Sequence, residues 1–181
     1  MRLFIALQFD QDTKEKIRKI QQRLIKGTSC TPTLKENFHI TLAFLGEVEE
    51  GKVEKVFDII EKVFFPSMEL IFDHIGTFPT GEKGDLWWLG IAENPALLSV
   101  EKTLRSHLKK EGFLCRHTVF SPHVTLARQL ILQKEEGEKR KKVIPFSARV
   151  EKLEVMCSNR IQGKLTYTKT NRRKEPATGG L

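Results

Sequence analysis

Cysteine is scarce. Three residues, Cys30, Cys115 and Cys157, occur in 181. They are odd in number and form no CxxC pair, which argues against a disulfide framework and predicts reduced thiols in a cytoplasm. Long apolar runs are missing, so neither a membrane span nor a membrane partner is expected. A signal-peptide pattern is missing too, because the apolar run after Arg2 stops at Asp10. Metal-ligand spacing is absent, and no metal or cofactor is expected. Acidic residues are outnumbered: 23 Asp and Glu stand against 31 Lys and Arg, a net charge of +8. Such a surface favours polyanions such as RNA or nucleotides. Two basic runs, Lys139 to Lys142 and Arg172 to Lys174, read as solvated loop or tail rather than a reading surface. The length fits one compact domain of two halves, residues 1–181, expected to be a monomer.

What the chain does have is a repeated tetrapeptide. His39-Ile40-Thr41-Leu42 recurs as His123-Val124-Thr125-Leu126. Each copy reads as a strand, so His and Thr share one face while the aliphatic pair faces a core. The copies are 84 residues apart (39 to 123), and the flanking pattern keeps that offset. Residues 2–9 and 85–92 read as strands. Asp10 and Asn94 are candidate helix N-caps, the latter followed by Pro95. Ile20 and Leu24 match Leu104 and Leu108, and Gly27 and Gly112 are stop signals. An internal duplication follows, with approximate repeats 1–84 and 85–170, a seam at 79–84, and a flexible tail over 171–181.

Between these units, 28–37 reads as a polar loop and Glu50 to Phe64 as an amphipathic helix. Met68 to Phe78 is a strand, 115–122 a loop, 133–142 a frayed helix or loop, 144–157 strands, and 164–170 a last strand. Strands outnumber helices, which predicts an α+β fold of small antiparallel or mixed sheets with helices on one side. Pseudo-symmetry would then set the two His-x-Thr faces on one cleft.

Two imidazoles across a cleft form an acid–base pair at neutral pH, one neutral and one protonated. Phosphodiester cleavage uses such a pair directly, with Thr41 and Thr125 donating to phosphate oxygens. The fifth position after each His is Phe44 in one copy and Arg128 in the other. Strict alternation would bury both side chains. For Arg128 that is costly, so the second strand is expected to end or bulge before it, swinging the guanidinium over the cleft to clamp phosphate. Phe44 has two readings, core residue or a ring at the cleft rim that stacks on a base. Trp87 and Trp88 point to opposite faces, with packing the favoured role. His74, His107 and His117 have no matching frame.

The stretches His39 to Gly46 and Ser121 to Arg128 resemble the paired signatures of the two-histidine phosphoesterases. The branch they resemble most is the RNA 2′,3′-cyclic phosphodiesterases, also called 2′-5′ RNA ligases. Arg2 to Leu7, Glu36-Asn37, Arg116 and Phe120 match that branch as well. The resemblance spans about residues 1–170. It implies a bilobal fold with a central cleft and metal-free hydrolysis of 2′,3′-cyclic phosphate on RNA ends or nucleotides to a 2′-phosphate. An in vitro 2′-5′ ligation would run the same chemistry backwards. By position, His39 and His123 are the catalytic pair, Thr41, Thr125 and Arg128 hold phosphate, and Phe44 stacks on the base. His123 is assigned as base and His39 as acid, with the reverse left open. Thr31-Pro32-Thr33 stands where the family often has a tryptophan, a difference that touches the cleft wall and not the acid–base pair. Two rival classes stay in view: a non-catalytic RNA-binding module, and a related phosphoesterase acting on an ADP-ribose-type cyclic phosphate.

Overall fold

The computed structural model describes residues 1–114 and 119–172. Cys115, Arg116, His117 and the tail beyond Arg172, with Arg173 and Lys174, lie outside the described residues. The order is β1 (Arg2–Gln8), α1 (Gln11–Ile25), β2 (Thr31–Pro32), β3 (His39–Glu47), α2 (Val53–Glu61), β4 (Met68–Phe78) and β5 (Asp85–Ile91). Then come α3 (Pro95–Lys110), β6 (His123–Leu130), α4 (Lys134–Arg140), β7 (Phe146–Val150), β8 (Glu154–Ile161) and β9 (Lys164–Lys169). The strands form two sheets, β3-β1-β8-β9 and β2-β6-β5-β4-β7, and the paired strands run antiparallel. The fold is α+β, as the strand-rich pattern predicts.

Both duplicated helices start where their caps dictate. The Asp10 carboxylate accepts from the Thr13 N–H at 2.7 Å, and the Asn94 side chain accepts from Leu97 N–H at 2.9 Å. Each cap stabilises its helix by about 1 kcal/mol. The helices then cross over: α1 packs against β6, and α3 against β3. Each repeat's helix therefore braces the motif strand of the other.

The chain also exchanges strands between sheets. β2 and β4 join the second sheet, and β8 and β9 complete the first. Residues 79–84 close a hairpin between β4 and β5 inside one sheet, so the seam expected there is not a boundary between sheets. Within 28–37, read as plain loop, Thr31 and Pro32 add a short edge to β6, a place where proline's missing N–H costs nothing. α2 is shorter than the sequence pattern: a 3-10 turn occupies Glu50–Lys52, and Phe64 is 83% exposed. The helix ends at Glu61 in a tightened turn, Lys62 N–H donating to the Ile59 carbonyl and Val63 N–H to the Ile60 carbonyl.

One apolar core runs continuously from Leu3, Ile5 and Leu7 of β1 through Ile17 and Leu24 of α1 and Leu97 and Leu104 of α3 to Val124 and Leu126 of β6. A second, smaller cluster lies on the opposite face of the first sheet: Phe4, Ala6 and Met156, with Phe44 and Tyr167 against them. β1 is thus buried on both faces, as its unbroken apolar run Leu3 to Leu7 requires.

Candidate active site

β3 of the first sheet is in contact with β6 of the second. Along each, Ile40 and Leu42, or Val124 and Leu126, enter the core, while His39 and Thr41, or His123 and Thr125, stay half-buried on the other face. The two imidazoles are held alike. His39 Nδ1 donates to the Asn37 carbonyl at 2.6 Å, and His123 Nδ1 donates to the Ser121 carbonyl at 2.7 Å. A carbonyl only accepts, so the proton sits on Nδ1 and Nε2 is left as the working nitrogen of each ring. In the first copy the Thr41 hydroxyl lies 3.0 Å from His39 Nε2 and donates to it while the ring is neutral.

Both strands bulge after the threonine. Against β1, Ala43 pairs with Ile5 and Thr41 with Ala6, leaving Leu42 as the extra residue. Against β5, Ala127 pairs with Trp87 and Thr125 with Trp88, leaving Leu126 extra. Two consecutive residues are buried in each case, Leu42-Ala43 and Leu126-Ala127, and the alternation slips by one. The fifth residue after each His thereby moves onto the His–Thr face. This is the bulge that the charge of Arg128 demanded, and Arg128 is exposed as a result. The carbonyl of the extra residue Leu126 is not orphaned. It accepts from Gln21 Nε2 of α1 at 2.7 Å and from the Thr33 N–H at 2.9 Å. Gln21, buried, gives its second proton to the Thr33 carbonyl. Phe44 is half-buried: its ring packs against the small cluster with Phe4, Met156 and Tyr167, and the Arg2 guanidinium sits over it at 5.1 Å.

Each histidine rests on an aromatic ring from the neighbouring central strand. Phe4 lies 4.9 Å from His39 and Trp88 lies 5.6 Å from His123, ring centre to ring centre. These two rings keep the 84-residue offset (4 to 88). A second ring meets each imidazole edge-on: Tyr167 at 5.0 Å from His39 and Phe78 at 5.1 Å from His123. Tyr167 is placed by Asn37, whose buried side chain donates to the Leu165 carbonyl and accepts from the Tyr167 N–H. Asn37 therefore fixes His39 through its backbone and the adjacent ring through its side chain.

The two sides differ electrically. Burial is the main influence that pushes the His39 pKa down, to about 4; the Asn37 carbonyl opposes this, and the positive charges of His123, Lys14 and Arg128 reinforce it. Lys14 is itself buried, donates to the Glu36 carbonyl at 3.0 Å and to Gln8 at 3.3 Å, and is held below the usual lysine range by that burial. The surroundings of His39 are thus positive and partly dehydrated. Among the described residues, no three His, Cys, Asp or Glu side chains converge to hold a metal ion. No helix among them is long and apolar enough to cross a membrane.

Comparisons with known proteins give the family. Residues 7–88 match the family model described as LigT like Phosphoesterase. An RNA 2′,3′-cyclic phosphodiesterase of Archaeoglobus fulgidus is 34% identical over 128 residues, 71% of this chain and 72% of the relative. The chain belongs to the LigT-like phosphoesterases. The enzyme of the same name from Thermotoga maritima is 33% identical over 131 residues, covering 71% of this chain and 70% of that one. Among solved structures, Escherichia coli LigT complexed with 3′-AMP superposes with a TM-score of 0.80 at 25% identity, over 95% of this chain and 96% of that one. As a LigT-like phosphoesterase, the chain is a hydrolase of cyclic phosphodiesters.

Proposed function

We propose that the chain opens 2′,3′-cyclic phosphates on RNA ends or nucleotides to 2′-phosphates with its two histidines as the only proton carriers. The observation that carries this is the matched pair of imidazoles on β3 and β6, each with Nδ1 pinned by a carbonyl and Nε2 left to work. The naming of its relatives as RNA 2′,3′-cyclic phosphodiesterases supports the same substrate class.

The His39 contact to Asn37 is partly buried, whereas the His123 contact to Ser121 is exposed. Water therefore has readier access to His123. His123 Nε2 takes a proton from water, and the water oxygen bonds to phosphorus. The bond from phosphorus to the 3′ oxygen breaks, its electron pair goes to that oxygen, and His39 Nε2–H protonates it. Arg128, Thr41 and Thr125 donate to the non-bridging oxygens, where charge builds. His39 must be protonated to act as acid, and the free cleft disfavours this. A bound phosphate anion beside His39 favours its charged form and draws the proton on. Thr41, released from Nε2, turns to a phosphate oxygen.

The test is incubation of pure protein with 2′,3′-cyclic AMP in the presence of a chelator. The expected product is adenosine 2′-phosphate, at a rate the chelator does not change. A binding module gives no product, and a metal-dependent enzyme stalls. The same reading places the protein in a reducing cytoplasm, with Cys30 and Cys157 unpaired in the fold, and as a monomer, which size-exclusion chromatography checks.

A further inference from the structure

The base-stacking role that the resemblance gives to Phe44 has a competitor on the other sheet. Phe44 is covered by Arg2 and packed against the small cluster of the first sheet. On the second sheet, beside His123, the exposed ring of Phe78 stands against the half-buried ring of Trp88. Trp88 lies flat across β4 and β5 because Gly76 and Gly90 have no side chains. A Cβ on Gly76 would come within 2.2 Å of the Trp88 ring, and one on Gly90 within 2.8 Å of it and 2.3 Å of His74. Those overlaps are beyond what side-chain shifts relieve, so the glycines are a condition of the ring's placement. Phe78 lies 5.1 Å from Trp88 at a 33° tilt, is 36% exposed, and its ring edge also meets His123. His74 adds an edge-on contact to Trp88 at 5.5 Å.

We propose that this Phe78–Trp88 platform, rather than Phe44, takes the nucleobase of the nucleotide that carries the cyclic phosphate. The inference rests on the acid–base reading of His39 and His123 and adds a substrate contact to it. Three features favour a nucleobase as the occupant. The surface is aromatic, with an exposed ring in Phe78, and every base offers a face to stack on it. It adjoins the imidazole that serves the phosphate, so base and phosphate of one nucleotide are reached together. The positively charged Arg128 lies on the same face of the same sheet as His123. Such a platform tolerates any base, which predicts weak discrimination among the four.

The experiment compares two substrates, adenosine 2′,3′-cyclic phosphate and the methyl riboside of ribose 2,3-cyclic phosphate, which has no base. Phe78 also touches His123, so Phe78→Leu is read as a ratio: KM for the nucleoside substrate relative to KM for the base-less one is expected to rise by about tenfold, apart from any loss of kcat the two substrates share. If Phe78 merely props His123, that ratio does not move, and the proposal is overturned. A second measurement does not depend on turnover. In Trp87→Phe protein, Trp88 fluorescence is expected to respond to adenosine 2′-phosphate and not to ribose 5-phosphate at matched phosphate occupancy. An equal response to both, or none to either, overturns the platform. Loss of product from both substrates in the parent protein, with the base-dependent quench retained, would instead sink the acid–base reading and leave the platform standing.

Discussion

β3 and β6 carry the same tetrapeptide plan, and the fold treats them alike up to a point. Both imidazoles are pinned through Nδ1 to the carbonyl two residues back, both rest on an aromatic ring of the adjacent strand, and both strands bulge after the threonine. Then they part. The bulge delivers Arg128 to the open face on one side and Phe44 to a packed cluster on the other. His39 is held neutral in a partly dehydrated corner, and the contact that pins His123 is exposed. A duplicated scaffold thus supplies two working nitrogens of the same tautomer, and unequal surroundings give them unequal tasks. Symmetry places the pair, and in the proposed mechanism the departures from symmetry orient the phosphate and choose the acid and the base.

Removing either half of the pair should have the largest effect. His39→Ala and His123→Ala are each expected to lower kcat by at least about 100-fold, while adenosine 2′-phosphate still binds. Unequal losses, with one variant near parent activity, would mean that only one copy is catalytic. Next comes the asymmetric fifth position. Arg128→Phe makes the second copy like the first and removes the charged donor. It should raise KM by about 10- to 100-fold, in line with a lost charge-assisted hydrogen bond; an unchanged KM would place the guanidinium away from the phosphate. Gln21→Leu attacks the bulge from behind by leaving the Leu126 carbonyl short of a donor. A stability loss of about 1–3 kcal/mol is expected in denaturant unfolding. KM should rise with it, and the titration of His39 should be unmoved. Asn37→Ala should lower kcat modestly by loosening β9 and the Tyr167 ring, leaving KM for the base-less substrate near parent.

The smallest effect is on stability against pH. The His39 pKa is lower folded than unfolded, so the unfolded chain binds the extra proton between about pH 6.5 and 4. Stability from this group is full above that window and is lost as pH falls through it. The melting temperature of the parent should therefore drop more steeply across that window than that of His39→Asn. Parallel curves would mean that the ring is not held neutral by the fold.

Much of the site was legible in the sequence because it rests on local periodicity. Alternation put His and Thr on one face, and the cost of burying Arg128 demanded a bulge that the structure contains. Phe4 and Trp88 were also within reach, since both keep the 84-residue frame as rings beneath the histidines. Asn37 and Ser121 keep it too. Other features depend on long-range pairing that no local pattern encodes. Tyr167 and Phe78 reach the histidines from β9 and β4, strands that follow the two motif strands and in which these rings do not keep the 84-residue offset. Gln21 looks like any polar helix residue until α1 is seen to cross to β6. The hairpin at 79–84 was hidden for the same reason: a turn-rich segment marks a hairpin as readily as a boundary, and only strand order tells them apart.

The claim beneath all this is that one phosphate is shared by two imidazoles from opposite sheets. Nitrogen-15 NMR of both rings during titration with adenosine 2′-phosphate reads it directly. Both Nε2 signals should move along one binding curve with a single dissociation constant, and His39 should take up a proton as its pKa climbs from about 4. Movement of one ring alone, or two separate curves, would contradict it.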